Sequence, residues 1–354
     1  MNEYLSQKLK TISFLLIIMV VILHCYNLDI KQQGIVLHFE KGYNWYIQTF
    51  ISGGLTRIAV PLFFLFSGYL FFLSFNRNSD FIIKIKKRFE TLVIPYFFWV
   101  FFGAFFYFLL QSFPQSASFF TKKLIRNFDF SDWLEIIFIN PIPYQLWFLR
   151  DLIVLTILSP MIYFLVKKMG AIFLIVVSFF WFLNQDNYFF TSESILFFST
   201  GIYIVLQKRE LTLKKANNTL TFLFLTGWIL FLILKTTLEF YNGSSIYSIL
   251  SLKIAILFGI LAFWTLYDLL FWKNTQKLKG FNNVFDFSFF IYLFHEPVLT
   301  IIKKGLFFVL GKEEKNYLTV YFFSGFLIII LSLLTGVILK KTVPKIYSFI
   351  SGNR

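Results

Sequence analysis

Charge is scarce in this chain: Asp, Glu, Lys and Arg make up 14% of its 354 residues, where a soluble domain carries about 25%. With 58% apolar residues, an aqueous core cannot hide so much surface, and a soluble fold is excluded. Cysteine is nearly absent. Cys25 alone forms no intramolecular disulfide, and Leu23-His24 before it lack the small residues of a lipidation or cleavage signal, so the first apolar run is expected to stay as a membrane anchor. Histidine is rare too. His24, His38 and His295 fall in separate segments without carboxylate or thiolate at ligand spacing, which argues against a metal. The sequence has no G-x-S-x-G, H-E-x-x-H or P-loop, which leaves serine hydrolase, zincin and nucleotide triphosphatase readings without support. Gly/Ser-rich linkers, coiled-coil heptads and low-complexity tracts are missing as well, so nothing divides the chain into soluble modules.

Aromatic and aliphatic residues fill the space instead. Phe, Tyr and Trp form 22% of the chain, with 53 Phe, and mean hydropathy is +0.72. Runs of spanning length predict transmembrane helices near 11–28, 57–75, 92–111, 146–166, 170–184, 193–206, 219–238, 250–271, 286–303 and 317–339. The expected fold is an all-α integral membrane bundle of about ten helices over residues 1–354, with no soluble catalytic domain behind the last span. The net charge of +15 invites a nucleic-acid reading, but the cations sit in short clusters between apolar runs, so no nucleic-acid partner is expected. A cytoplasmic N-terminus leaves 20 Lys and Arg in inner segments and ten in outer ones, which places both termini inside. The longest connections, 29–56 and 112–145, are then outer loops, and loops of that size are commonly functional or disordered.

Ionisable groups inside such a bundle cost about 2.5–3.5 kcal/mol each on insertion scales and ask for a reason. His24 lies 13 residues after Thr11, about 20 Å along a helix rising ~1.5 Å per residue, in the outer third of a ~30 Å apolar core. It is either a packed neutral imidazole or a base facing an outer cavity. His295-Glu296-Pro297 lies near the middle of the ninth span, where Pro297 cannot donate to the carbonyl of Leu293. A kink or polar pocket follows, with Glu296 either structural or part of the chemistry. Arg57 opens the second span and Arg150-Asp151 the fourth, as snorkelling anchors or as the walls of a pocket for a hydroxylic acceptor. Before the third span, Lys84-Ile-Lys86-Lys87-Arg88 is either a topology signal or a clamp for the phosphates of a nucleotide-bearing donor such as an acyl-CoA.

Five stretches together resemble the membrane-bound acyltransferase 3 family of bacterial surface-glycan acyltransferases. They are Met19-Val-Val-Ile-Leu-His24; Arg57-Ile-Ala-Val-Pro61-Leu-Phe-Phe-Leu-Phe-Ser67-Gly68-Tyr69; Lys87-Arg88 through Ile94-Pro95-Tyr96; Leu146-Trp147-Phe148-Leu149-Arg150 with Ser159-Pro160; and Phe287-Ser-Phe-Phe-Ile-Tyr292-Leu-Phe-His295-Glu-Pro297. Two positions depart from the family pattern. Ser13 stands where many members carry an arginine 11 residues before the histidine, and Lys10, one turn below, is the substitute; Thr91 stands where a further cation often follows Arg88.

The resemblance implies a multi-pass protein of the bacterial inner membrane that takes an acyl group, acetyl by preference, from cytosolic acyl-CoA to a sugar hydroxyl on a glycan or glycolipid. His24 is then the catalytic base or transient acyl carrier. Arg57, Arg150, Asp151, His295 and Glu296 line the acceptor or oxyanion pocket, and Lys10, Lys84, Lys87 and Arg88 hold the donor. Acyl-CoA, membrane lipid and the glycan are the expected partners, no metal is expected, and homo-oligomerisation is left open. The rival reading is a polysaccharide or glycolipid exporter without acyl-transfer chemistry, since buried polar groups in many spans describe carriers as well. A scaffold subunit of a glycan-synthesis complex is a third, in which His24 and His295 are freely replaceable.

Overall fold

The computed structural model describes residues 3–28, 31–32, 35–36, 41–73, 80–113, 123–186, 190–207, 217–273 and 278–353. In lipid a backbone must satisfy its own N–H and C=O groups, and helices accordingly occupy the apolar runs. In chain order they are α1 (Glu3–His24), α2 (Tyr43–Ile51), α3 (Ala59–Phe72), α4 (Asp80–Arg88), α5 (Ile94–Gln111), α6 (Phe130–Phe138), α7 (Trp147–Met169), α8 (Ala171–Phe182) and α9 (Ser192–Leu206). There follow α10 (Asn218–Asn242), α11 (Ile246–Phe271), α12 (Asn282–Phe285), α13 (Ser288–Leu310), α14 (Glu314–Thr342) and α15 (Pro344–Ile350). Two short strands, β1 (Lys31–Gln32) and β2 (Ile35–Val36), pair antiparallel. His38 lies outside the described residues.

Among the described residues seven helical stretches are long and apolar enough to cross a membrane: Glu3–His24, Tyr43–Phe72, Phe81–Gln111, Tyr144–Met169, Asn218–Asn242, Ile246–Phe271 and Glu314–Thr342. The other three stretches read as spans coincide with α8 and α9, of 12 and 15 residues, and with α13, which is broken at Glu296.

The chain packs as two compact units. One comprises Met1–His24, Lys41–Phe81 and Leu158–Ser288, the other Cys25–Glu40, Ile82–Ile157 and Phe289–Arg354. In the first, glycines let α3 and α9 touch backbone to backbone. A Cβ on Gly68 would lie 2.1 Å from the Phe198 carbonyl oxygen, and one on Gly201 2.3 Å from that of Leu65. Small residues at such crossings bring helices close where no hydrophobic force joins them. The hairpin of α10 and α11 is set by local chemistry: the Asn217 side chain caps α10, Gly243 turns the chain at φ +69°, and Ser245 and Ser248 form a capping box on α11. Near the start of α1, Lys8 forms a fully buried ion pair with Asp268 at 2.6 Å. The same carboxylate accepts from the Tyr4 hydroxyl, and the Lys8 ammonium sits 3.8 Å over the Trp264 ring.

The second unit holds a departure from the expected outer loop 112–145. The Ile125 N–H donates to Gln111 Oε1 at 2.9 Å, at the end of α5. From there the chain returns beside α5: the Trp133 and Phe101 rings lie 6.3 Å apart, and the Tyr96 hydroxyl donates to the Ile137 carbonyl at 2.6 Å. Tyr96 and Gln111 are separated by about 22 Å of helix at ~1.5 Å per residue, so the stretch from Ile125 through α6 follows α5 for most of α5's length. An Asp129–Asp132 capping box starts α6. The Ser131 hydroxyl and the Lys123 ammonium, 2.9 Å away, hold the Asp129 carboxyl well below the usual carboxylate range. Elsewhere in this unit, Pro95 removes the donor that would reach the Thr91 carbonyl, and a π-turn at Phe89–Val93 absorbs the defect.

Candidate functional site

α1 is apolar to its last turn and ends at His24, whose ring is half-buried. The segment after α2 fixes that end. Ser52 Oγ donates to the Ile22 carbonyl at 3.0 Å, and Thr56 Oγ1 donates to that of Ser52 at 3.0 Å. The 3-10 turn Leu55–Ile58 then packs against α1 and presents Arg57, which is exposed. His24 and Arg57 therefore belong to one unit. On the Arg57 side stand charges that sequence reasoning did not single out as a site. Lys235 pairs with Glu239 at 2.7 Å. Glu193, within electrostatic reach of Arg57, accepts from Trp181 Nε1 at 3.3 Å. Lys253 donates to the Trp181 carbonyl and, at 3.2 Å, to Asn184 Oδ1. The signal that would have found them is the one that found His24, an ionisable residue inside an apolar run. Lys10 pairs with Asp286 at 2.8 Å, both side chains partly exposed.

His295, Glu296, Arg150, Asp151, Lys84, Lys87 and Arg88 belong to the other unit, so the residues expected to share one pocket divide between the two. The break in α13 has the form its proline predicts. Glu296 adopts φ −109° and ψ 139°, and the carbonyls of Leu293 and Glu296 both receive Gln145 Nε2, at 3.4 and 3.3 Å. The Glu296 carboxylate accepts from Thr300 at 2.9 Å and from the Tyr144 hydroxyl at 3.3 Å. Lys303 lies within its electrostatic reach and donates to the Tyr26 carbonyl at 3.3 Å. His295 is fully buried, its Nδ1 3.1 Å from the Ile291 carbonyl oxygen. Tyr144, Gln145 and Thr300 were not legible as site residues, because ordinary polar residues next to an apolar run carry no distinguishing mark.

Arg150 has partners on two helices. Its Nη2 meets Asp151 Oδ1 at 2.8 Å, and its Nη1 donates to the Ile139 carbonyl. The guanidinium thereby ties the end of α6 to the first turn of α7. Lys84, Lys87 and Arg88 lie on α4, an amphipathic helix that exposes Ile82 and Ile83 beside its cations.

A multi-pass helical fold with ionisable groups inside its apolar runs fits membrane enzymes and carriers alike, and comparison with known proteins decides between them. The acyltransferase 3 family, described as an acyltransferase domain, matches residues 10–337, so the chain belongs to that family and is an acyltransferase. It is similar to the succinoglycan biosynthesis protein ExoH of Rhizobium meliloti (strain 1021), with 24% identity over 362 aligned residues covering 100% of this chain and 94% of the relative. No solved structure matches.

Proposed function

We propose that the protein transfers an acyl group, in the simplest case acetyl, from a cytosolic acyl-CoA to a hydroxyl of a surface or lipid-linked sugar on the outer side of the bacterial inner membrane. The observation that carries this reading is the half-buried imidazole of His24, at the last residue of an apolar helix and inside the family match. The relative's part in succinoglycan biosynthesis supports a glycan acceptor.

In this reading His24 takes the proton of the acceptor hydroxyl, whose oxygen attacks the thioester carbonyl. The C–S bond breaks, and the CoA thiolate leaves and takes up, through solvent, the proton that His24 gives back. Arg57, exposed on the neighbouring turn, faces the charge that develops on the carbonyl oxygen. Lys84, Lys87 and Arg88 contact the donor's phosphates, a role suited to cations on an amphipathic surface helix. Lys10, ion-paired with Asp286 at 2.8 Å, keeps its ammonium partly exposed for an anionic donor.

The test is acyl transfer in membranes carrying His24→Ala at matched protein level. Loss of roughly a hundredfold or more in rate is expected when a general base is removed; transfer at the wild-type rate overturns the assignment. Mass spectrometry of surface glycans from cells with and without the protein identifies the acyl group and the acceptor, and an unmodified but relocated glycan would instead mark an exporter.

A further inference from the structure

Two short helices flank spans at one end of the second unit. α4 leads into α5, and α15 follows the end of α14 from Pro344. They meet at the π-turn Phe89–Val93: Gly352, at φ +66°, packs on the backbone of Thr91, where a Cβ would lie 2.4 Å from the carbonyl oxygen. Trp99 Nε1, on the second turn of α5, donates to the Ile350 carbonyl at 3.0 Å. The Asn353 N–H closes the end of α15 on the Ser348 carbonyl at 2.7 Å. Because α14 and the stretch Phe81–Gln111 are both of spanning length, this meeting point lies at one surface of the membrane.

The outward faces of the two helices mix apolar side chains with cations. On α15, Tyr347 and Ile350 are buried, whereas Ile346 and Phe349, three residues apart, are more than half exposed with Lys345 beside them. On α4, Ile82 is 76% and Ile83 68% exposed, and Lys86 and Phe89 continue that face over the next turns. Lys84 and Arg88, given above to the donor, stand one turn apart on the other side of the helix. Residues 81–90 and 339–353 hold seven Lys and Arg and one carboxylate, that of Glu90. Such a face exposes too much apolar surface for water and too much charge for hydrocarbon. It fits the boundary between lipid headgroups and acyl chains.

We infer that the joined ends of α4 and α15 form a binding site for an anionic phospholipid. Lys86, Lys341 and Lys345, all exposed, hold the headgroup phosphate, and the acyl chains cover the exposed isoleucines and phenylalanines. The surplus of cations selects anionic over zwitterionic lipid, since each Lys or Arg near a membrane surface adds its own attraction. Such a site is independent of acyl transfer.

Native mass spectrometry of the full chain in neutral detergent, titrated with phosphatidylglycerol or phosphatidylcholine, is the test. The wild type should bind the first phosphatidylglycerol in preference; equal binding of the two lipids overturns the site. Combining Lys86→Gln, Lys341→Gln and Lys345→Gln should weaken phosphatidylglycerol binding roughly tenfold or more and leave phosphatidylcholine unmoved. Lys→Arg at the same three positions should preserve the preference. The control is Lys167→Gln with Lys168→Gln, two exposed cations at the end of another span, α7. It should bind as the wild type does; a loss as large as that of the triple variant marks a general effect of charge and overturns the site. Ile346→Ser with Phe349→Ser should also weaken phosphatidylglycerol binding. No change there, or displacement of the lipid by millimolar inorganic phosphate, reduces the place to a free-anion site and overturns the lipid assignment. A protein dimer that these substitutions dissociate while lipid binding stays unmoved gives the face to a second copy of the chain and overturns it as well.

Discussion

Gln145 illustrates how a single amide compensates a broken helix. Its Nε2 serves both the Leu293 and the Glu296 carbonyls, which lie where the α13 ladder is interrupted. Gln145→Leu should therefore lower the thermal unfolding midpoint of the detergent-extracted protein, at about 1–3 kcal/mol for each buried acceptor left without its donor. Lys8 and Asp268 call for a double-mutant cycle. Either Lys8→Met or Asp268→Leu alone strands a buried charge and should cost about 3–5 kcal/mol, whereas the two together should recover much of the loss. His24, His295 and Glu296 could be read from the sequence because an ionisable residue in an apolar run is conspicuous. Gln145 could not, since its acceptors lie 148 and 151 positions away. Lys8 appeared only as a topology signal, its partner being 260 positions distant.

At the scale of elements, the crossing of α3 and α9 depends on two missing side chains. Gly68→Ala puts a methyl group where the Phe198 carbonyl oxygen is 2.1 Å away, so the helices must separate. The expected result is a fall in folded protein recovered by size-exclusion chromatography in detergent. Gly305→Ala is the control in α13: nothing lies within 4 Å of its new methyl, and helix propensity favours it by about 0.5–1 kcal/mol. The helices themselves were legible from apolar run length. The course of α6 was not, because nine residues are too few to register as a span and the segment's acidic cap resembles a surface loop. In a Cys25→Ser background, Ile137→Cys should react roughly tenfold more slowly with a membrane-impermeant maleimide than Lys123→Cys, as a segment lying deep beside α5 requires. Equal rates would place both at the surface.

For the whole molecule, hydropathy located the helices but not the partition of the chain. Each compact unit is assembled from three separated stretches, and one boundary falls between His24 and Cys25, where no linker composition marks it. Packing that joins distant stretches leaves no local trace in a sequence without loops rich in glycine or serine. Arg150 shows the same limit at closer range: its position at the start of an apolar run was readable, its bonds to Asp151 and Ile139 were not.

The Lys8–Asp268 pair also sets an order of events during biosynthesis. The ammonium enters the translocation machinery with the first helix, and its carboxylate is made 260 residues later, some 13–50 s afterwards at ~5–20 residues per second. Throughout that interval the nascent N-terminal helix carries an unneutralised cation and has to keep it among headgroups or with an insertion factor. Ribosomes stalled before Asp268 should thus hold this helix in a shallower, protease-sensitive position than the finished polypeptide does.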